Sequence, residues 1–265
     1  MRSALAIARK ELQVFFTTPV AYVTFTVVAF FAAQVFIGSL DAYRALATRL
    51  PASPEGQRAL AQLNLTDFVV ARLFASVALF VLVSAPFLSM RLLAEERRGR
   101  TLELLLTSPV RPASIVAGKY LAALVVTGVS VAIVAAFPAI LSLVARGARG
   151  GPAIEWRTVA TGLLGLLLLG AMCQAVGLFL SALTESVVVA ALLSLVTLLA
   201  LWMVTLFTVG VEGPARDLAA GVSASEHLTA FLQGRIELKD LVYYLSFVVG
   251  GLWLAERAVE GHRWT

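Results

Sequence analysis

Long uncharged apolar runs alternate along this chain with shorter charged ones. The uncharged runs cover residues 12–40, 73–90, 120–145, 158–184, 186–211 and 241–255. A helix needs about 20 apolar residues to cross the hydrocarbon layer. The pattern therefore predicts six spans, at about 20–40, 69–90, 120–145, 158–183, 186–211 and 238–255. The last run has only 15 uncharged residues, so that helix must start earlier or let its flanking charges snorkel. Membrane strands would read as short alternating segments instead. The expectation is an all-α integral membrane protein, residues 1–265 forming a single membrane domain. Only Thr184, Glu185 and Ser186 separate the fourth and fifth spans, which predicts a tight antiparallel helical hairpin.

Ahead of the first span, residues 2–17 alternate with helical period. Leu5, Ala8, Leu12, Phe15 and Phe16 share one face; Arg2, Arg9 and Gln13 share another. That predicts an amphipathic helix, 1–18, lying in the head-group layer, ended by the Thr17-Thr18-Pro19 break. On the outer side the pattern predicts a loop over 41–67, with a turn at 50–54 and a short helix near 57–65. A second outer segment, 212–240, looks re-entrant. Ser223 and Glu226 form a capping box there, starting a short helix over 224–233 that Gly234 ends. Gln34 and Gln174 are polar residues inside spans; each either lines a path or bonds a neighbouring helix. Gly162, Gly165, Gly170 and Gly177 permit close packing of the fourth span.

The charged interruption at 91–119 has internal order. It carries six of the chain's 21 basic residues. Arg91 and Glu95, like Glu96 and Arg100, stand four apart; Glu95 and Arg98, like Arg100 and Glu103, stand three apart. On a helix such opposite charges are neighbours. Leu102, Leu105 and Leu106 then give an apolar stripe. Thr107, Ser108 and Pro109 break the helix, and Pro112 suits the first turn of the next one. The segment reads as a helical hairpin between spans two and three: either a solvated loop or a surface that docks a partner. Its density of basic residues places it, and both termini, on the cytoplasmic side.

Composition agrees. The chain is 60% hydrophobic and 14% charged, with a mean hydropathy of +0.90, whereas a soluble domain carries about a quarter charged residues. The net charge of +5 is spread among loops, as expected beside anionic lipid, and gives no reason to expect nucleic acid. Lone Cys173 falls inside a span as a packing residue. His227 and His262 fall on opposite sides of this topology, so a two-histidine metal site is not expected; His227 reads as a surface helix residue. Gly118-Lys119 is followed by Tyr120, and Ala113 stands where a phosphate-binding loop needs glycine. The chain itself is not expected to hydrolyse ATP or to hold a cofactor.

Residues 95–122, EERRGRTLELLLTSPVRPASIVAGKYLA, resemble the signature of ABC-2 type transporter permeases. The likeness is nearest to the gliding-motility and nitrous-oxide-reductase-maturation branch, and residues 225–247 resemble that branch's closing region. The matching positions are Glu95, Glu96 and Arg97, then Thr101, Leu102 and Glu103, then Leu105, Leu106, Thr107 and Pro109, then Gly118 and Lys119. Many members carry glycine directly before the threonine; here Arg100 stands there and Gly99 comes one earlier. The resemblance implies a permease subunit whose hairpin couples to a separate cytoplasmic ABC ATPase through Glu95, Glu96, Thr101, Glu103, Leu105, Leu106, Thr107, Pro109 and Lys119. It implies ATP and Mg on that ATPase, a second permease subunit as homodimer or heterodimer, export, and residence in a bacterial inner membrane. Membrane lipid is a partner, and an accessory extracytoplasmic protein is compatible with this. An ion-coupled secondary carrier, or a non-transporting membrane assembly factor, is the alternative. The carrier would place ionisable groups at mid-span, and none stands there.

Overall fold

The computed structural model describes residues 2–49, 65–99, 111–144, 154–208 and 213–261, and all regular structure among them is helical. The amphipathic helix is α1, Arg2–Thr17. After a bend at Thr18, α2 runs Pro19–Arg49. A π-helical turn, Thr66–Val70, opens α3, Ala71–Arg98. Next come α4, Pro112–Val144, and α5, Trp156–Leu183. Helix α6, Val187–Met203, ends in a 3₁₀ turn, Val204–Thr208. Two short helices follow, α7, Pro214–Val222, and α8, Ala224–Leu232, and the last is α9, Leu238–Gly261. Among the described residues six helices are long and apolar enough to cross a membrane: α2, α3 with its π turn, α4, α5, α6 with its 3₁₀ turn, and α9.

Helix α5 is the centre of the bundle. Within its most apolar stretch 61% of residues are buried, against 17% in α2 and in α6. Lipid tails are as apolar as leucine, so close contact and hydrogen bonds hold such a bundle together. Glycines supply the contact. A Cβ at Gly162 would fall 2.5 Å from the Phe74 ring of α3, and one at Gly170 would fall 2.5 Å from Thr127 of α4. At Gly165 it would meet Phe231 of α8 at 2.7 Å, and at Gly177 the Ser89 side chain of α3 at 2.0 Å. Each of these four glycines admits a different feature of a neighbouring helix.

Three expectations shift. The loop expected over 41–67 is helical at both ends, since α2 runs on to Arg49 and the π turn starts at Thr66. The apolar face of α1 was placed on Leu5, Ala8, Leu12, Phe15 and Phe16, yet the buried residues are Ala8, Glu11 and Phe15. Leu5 is 63% exposed and Phe16 is exposed too. Glu11 turns inward because a lysine waits for it, leaving Leu5 and Phe16 for the lipid side. The sixth helix does begin before residue 241, at Leu238, and also continues past 255 to Gly261. The turn at 50–54, the helix near 57–65 except its last residue, and the glycine-rich 145–153 lie outside the described residues.

Candidate coupling site

At one end of the bundle, α1, the end of α3, the start of α4 and the end of α5 meet. Helix α3 continues unbroken through the charged residues to Arg98. Helix α4 starts at Pro112, where a missing N–H costs nothing. The two arms of the 91–119 segment are therefore extensions of spans two and three. Residues 100–110 between them lie outside the described residues, and with them Thr101, Glu103, Leu105, Leu106, Thr107 and Pro109.

Lys119, two turns into α4, is 2% exposed. Its Nζ lies 3.0 Å from Glu11 Oε1 of α1 and 2.8 Å from Glu96 Oε1 of α3. Lys10 closes the cluster from the solvent side, 3.3 Å from Glu11 and 3.8 Å from Glu96. One buried cation thus joins three helices. The residue before it makes the approach possible: a Cβ at Gly118 would lie 2.7 Å from the Ala4 carbonyl and 2.8 Å from Ile7 Cβ. Gly118 and Lys119 act together, the first seating α1 and the second pinning it.

Two further links tie α5 in. Ser181 Oγ accepts from the Leu93 and Ala94 amides at 3.2 and 3.0 Å and donates to the Met90 carbonyl at 2.9 Å. Arg97 donates to the Ala182 carbonyl and lies 3.8 Å from Glu185. Glu95 points away, held by both arms of the Arg91 guanidinium at 3.0 Å. The i,i+4 rule anticipates that pair, but Glu96, placed by the same rule beside Arg100, is drawn inward to Lys119. Lys119 reaches no surface here, so any coupling role it has acts through α1 and α3. Sequence reasoning missed Glu11 and Ser181. The signal for Glu11 was present: its 3- and 4-residue spacing from Ala8 and Phe15, and one lysine in an otherwise uncharged α4.

The polar span residues differ. Gln174 is buried and donates to Thr127 Oγ1 of α4 at 3.0 Å, bonding a neighbouring helix. Gln34 is exposed on the outward face of α2.

The opposite end is closed by α7 and α8. Ser223 caps α8, its Oγ accepting from the Glu226 amide as the capping box predicts. Phe231 and Leu228 press on Gly165, and Gly234, with φ at +77°, ends the segment against Thr158. Ser225 donates to the Trp202 carbonyl of α6. His227, expected at the surface, keeps only one edge of its ring there: the ring stacks on Tyr243 at 4.0 Å and its Nδ1 lies 2.6 Å from buried Asp240 of α9. In the first turn of α9, Lys239 bonds the carboxylate of Glu237 just ahead of the helix and holds it below the usual carboxylate range. Among the described residues no group of three His, Cys, Asp or Glu side chains is placed to hold a metal.

These helices and their packing define a multi-pass α-helical membrane protein. Residues 5–248 match the family described as ABC-2 family transporter protein, and the chain belongs to that family. It is therefore a membrane component of the ABC transporter kind. No curated protein matches it.

Proposed function

We propose that this chain is the permease subunit of an ABC transporter, exporting a substrate with ATP hydrolysed by a separate ATPase subunit. Two such permease subunits pair in the membrane, and each 91–119 hairpin rests on an ATPase. On the likeness of residues 95–122 and 225–247 we place it beside the gliding-motility and nitrous-oxide-reductase-maturation permeases. The membrane is a bacterial inner membrane, with both termini and the hairpin on the cytoplasmic side.

The observation that supports the reading is the Glu11–Lys119–Glu96 cluster. It fastens both arms of the hairpin and α1 into one body, so a push on the hairpin reaches spans two and three together. ATP biases the membrane part only through contacts that differ between its states. A hairpin tied to its spans passes such a difference on, whereas a loosely tethered loop absorbs it. A carrier driven by ions would instead place ionisable groups at mid-span.

The test is a pull-down of the chain with a co-expressed ABC ATPase from its gene neighbourhood, with ATP turnover and export measured in lipid. A stable complex is expected. Leu105→Asp is expected to leave insertion intact while uncoupling ATP turnover from transport. Normal transport by that variant removes the coupling assignment, and a folded chain that binds no ATPase removes the permease reading.

A further inference from the structure

The end of the bundle opposite the charged cluster holds a hydrogen-bond arrangement whose completeness depends on one proton. His227 of α8 makes two contacts through its ring nitrogens. Nδ1 lies 2.6 Å from Asp240 Oδ1, and Nε2 lies 3.1 Å from the Gly221 carbonyl at the end of α7. A neutral imidazole has one N–H and one lone pair; only the protonated ring donates twice. The Gly221 carbonyl can only accept, and an ionised carboxylate can only accept. Both contacts are satisfied in two ways alone. Either the ring is imidazolium facing a carboxylate, or a neutral ring donates to Gly221 and receives a proton from the carboxylic acid of Asp240. In each case the pair holds one proton more than a neutral histidine beside a carboxylate.

We propose that this proton pins the cap formed by α7 and α8 onto α9, so that the cap is tight when the medium on its side is acidic and loosens as that medium turns alkaline. When the proton leaves, one ring nitrogen points its lone pair at an acceptor, either the Gly221 oxygen or the Asp240 carboxylate. Water can take over the exposed Gly221 contact, but Asp240 is 1% exposed and its second oxygen has no hydrogen-bond partner, so solvent is not there to replace the positive charge the carboxylate loses. The cap's other ties to α9 do not titrate in the same way: the Tyr243 hydroxyl donates to the Val222 carbonyl, and the Tyr244 hydroxyl to the Ala224 carbonyl. The remaining groups around the ring are few. Tyr243 stacks on it, with Tyr244 beside that. Buried Cys173 of α5 is near enough to both tyrosines to act on them electrostatically. Exposed Glu226 and Lys239 sit next in sequence to His227 and Asp240, and Lys239 is paired with Glu237. The inference concerns the cap alone and stands whether or not an ATPase drives the bundle.

The test is hydrogen exchange of α7 and α8 in the full chain in lipid nanodiscs, from about pH 5 to about pH 9, bracketing the range in which imidazole ordinarily changes charge. Labelling times are scaled to equal intrinsic exchange at each pH. Protection of the cap is expected to fall about tenfold or more towards alkaline pH, the worth of one charge-assisted hydrogen bond. Asp240→Asn is the discriminating variant. Its amide NH₂ donates to Nδ1 while neutral Nε2–H donates to Gly221, and its oxygen takes the place of the unpartnered one. The latch is then complete without the extra proton, and protection is expected to stay high and flat across the range. His227→Gln offers one donor group and no stack on Tyr243, so its cap is expected to be loose and flat. A wild-type cap whose protection does not change with pH overturns the proposal. So does an Asp240→Asn variant that loses protection as the wild type does. Should Asp240→Asn not fold, a His227→Gln cap that still loosens with pH overturns it equally.

Discussion

Lys119 is a charge buried to 2% exposure, and its compensation is on view. An ammonium held out of water is tolerable only when its neighbours repay the lost hydration, and two carboxylates within 3.0 Å do so. Removing one partner of such a buried group typically costs about 3–5 kcal/mol, because the opposite charges stay buried with their closest counter-charge gone. Lys119→Met is therefore expected to lower the melting temperature of the detergent-solubilised chain markedly and to free α1, read as new protease cleavage between α1 and α2. Lys10→Met serves as the control. Its side chain is 64% exposed, its pairs are screened by water, and its loss should cost less than about 1 kcal/mol. Equal effects of the two substitutions would mean that burial plays no part. The lysine was legible in the sequence as the last residue before an uncharged run, but its role was not. Its partner Glu11 lies 108 positions away, and helical spacing reports only neighbours three or four residues apart.

Helices rather than side chains are the unit in which this sequence is easily read. Runs of uncharged residues long enough to span are a strong signal, and α2 through α6 and α9 follow it. The ends are harder, because polar residues there are satisfied by partners from other helices. Helix α9 begins at Leu238 with Asp240 in its first turn, and Asp240 is acceptable only because His227 meets it. The glycines of α5 were readable as packing positions, but which helix each admits was not. Gly177 tests the idea. A Cβ there would lie 2.0 Å from Ser89 Oγ and 2.8 Å from Ser89 Cβ, while Oγ is tied to the Ala85 carbonyl. Gly177→Ala should force α3 away from α5, with an overpacking cost of about 1–3 kcal/mol. Adding Ser89→Gly should recover most of the loss, since both offending atoms are gone. Gly128→Ala in α4 meets nothing within 4 Å and should be neutral or slightly stabilising, as alanine favours helix over glycine by about 1 kcal/mol. Thermal melting of the four proteins decides between a specific helix contact and a general intolerance of added methyl groups.

At the scale of the whole molecule, the outward face of α2 is what a lone bundle explains least. Thr26, Phe30, Gln34 and Gly38 recur four residues apart along it and are all exposed. Gly38 has nothing within 4 Å of where its Cβ would be, and the Gln34 amide lies within the apolar part of the helix. An amide turned to hydrocarbon without a partner costs several kcal/mol, so this face is poorly suited to lipid. It is well suited to a second copy across a two-fold axis. An amide both donates and accepts, so two Gln34 side chains satisfy each other, and Gly38 lets the backbones approach. Under the proposed pairing of permease subunits, Gly38→Cys should form an oxidised dimer in native membranes. The wild type should not, because its single cysteine, Cys173, is buried. Adding Gln34→Leu should lower the cross-linking yield while leaving the melting temperature of the isolated chain unchanged, which separates loss of pairing from loss of fold. A Gly38→Cys chain that stays monomeric alone but cross-links once another permease chain is co-expressed would make the pair heterologous. A chain that cross-links in neither case would remove α2 from the interface and leave Gln34 facing a path or lipid.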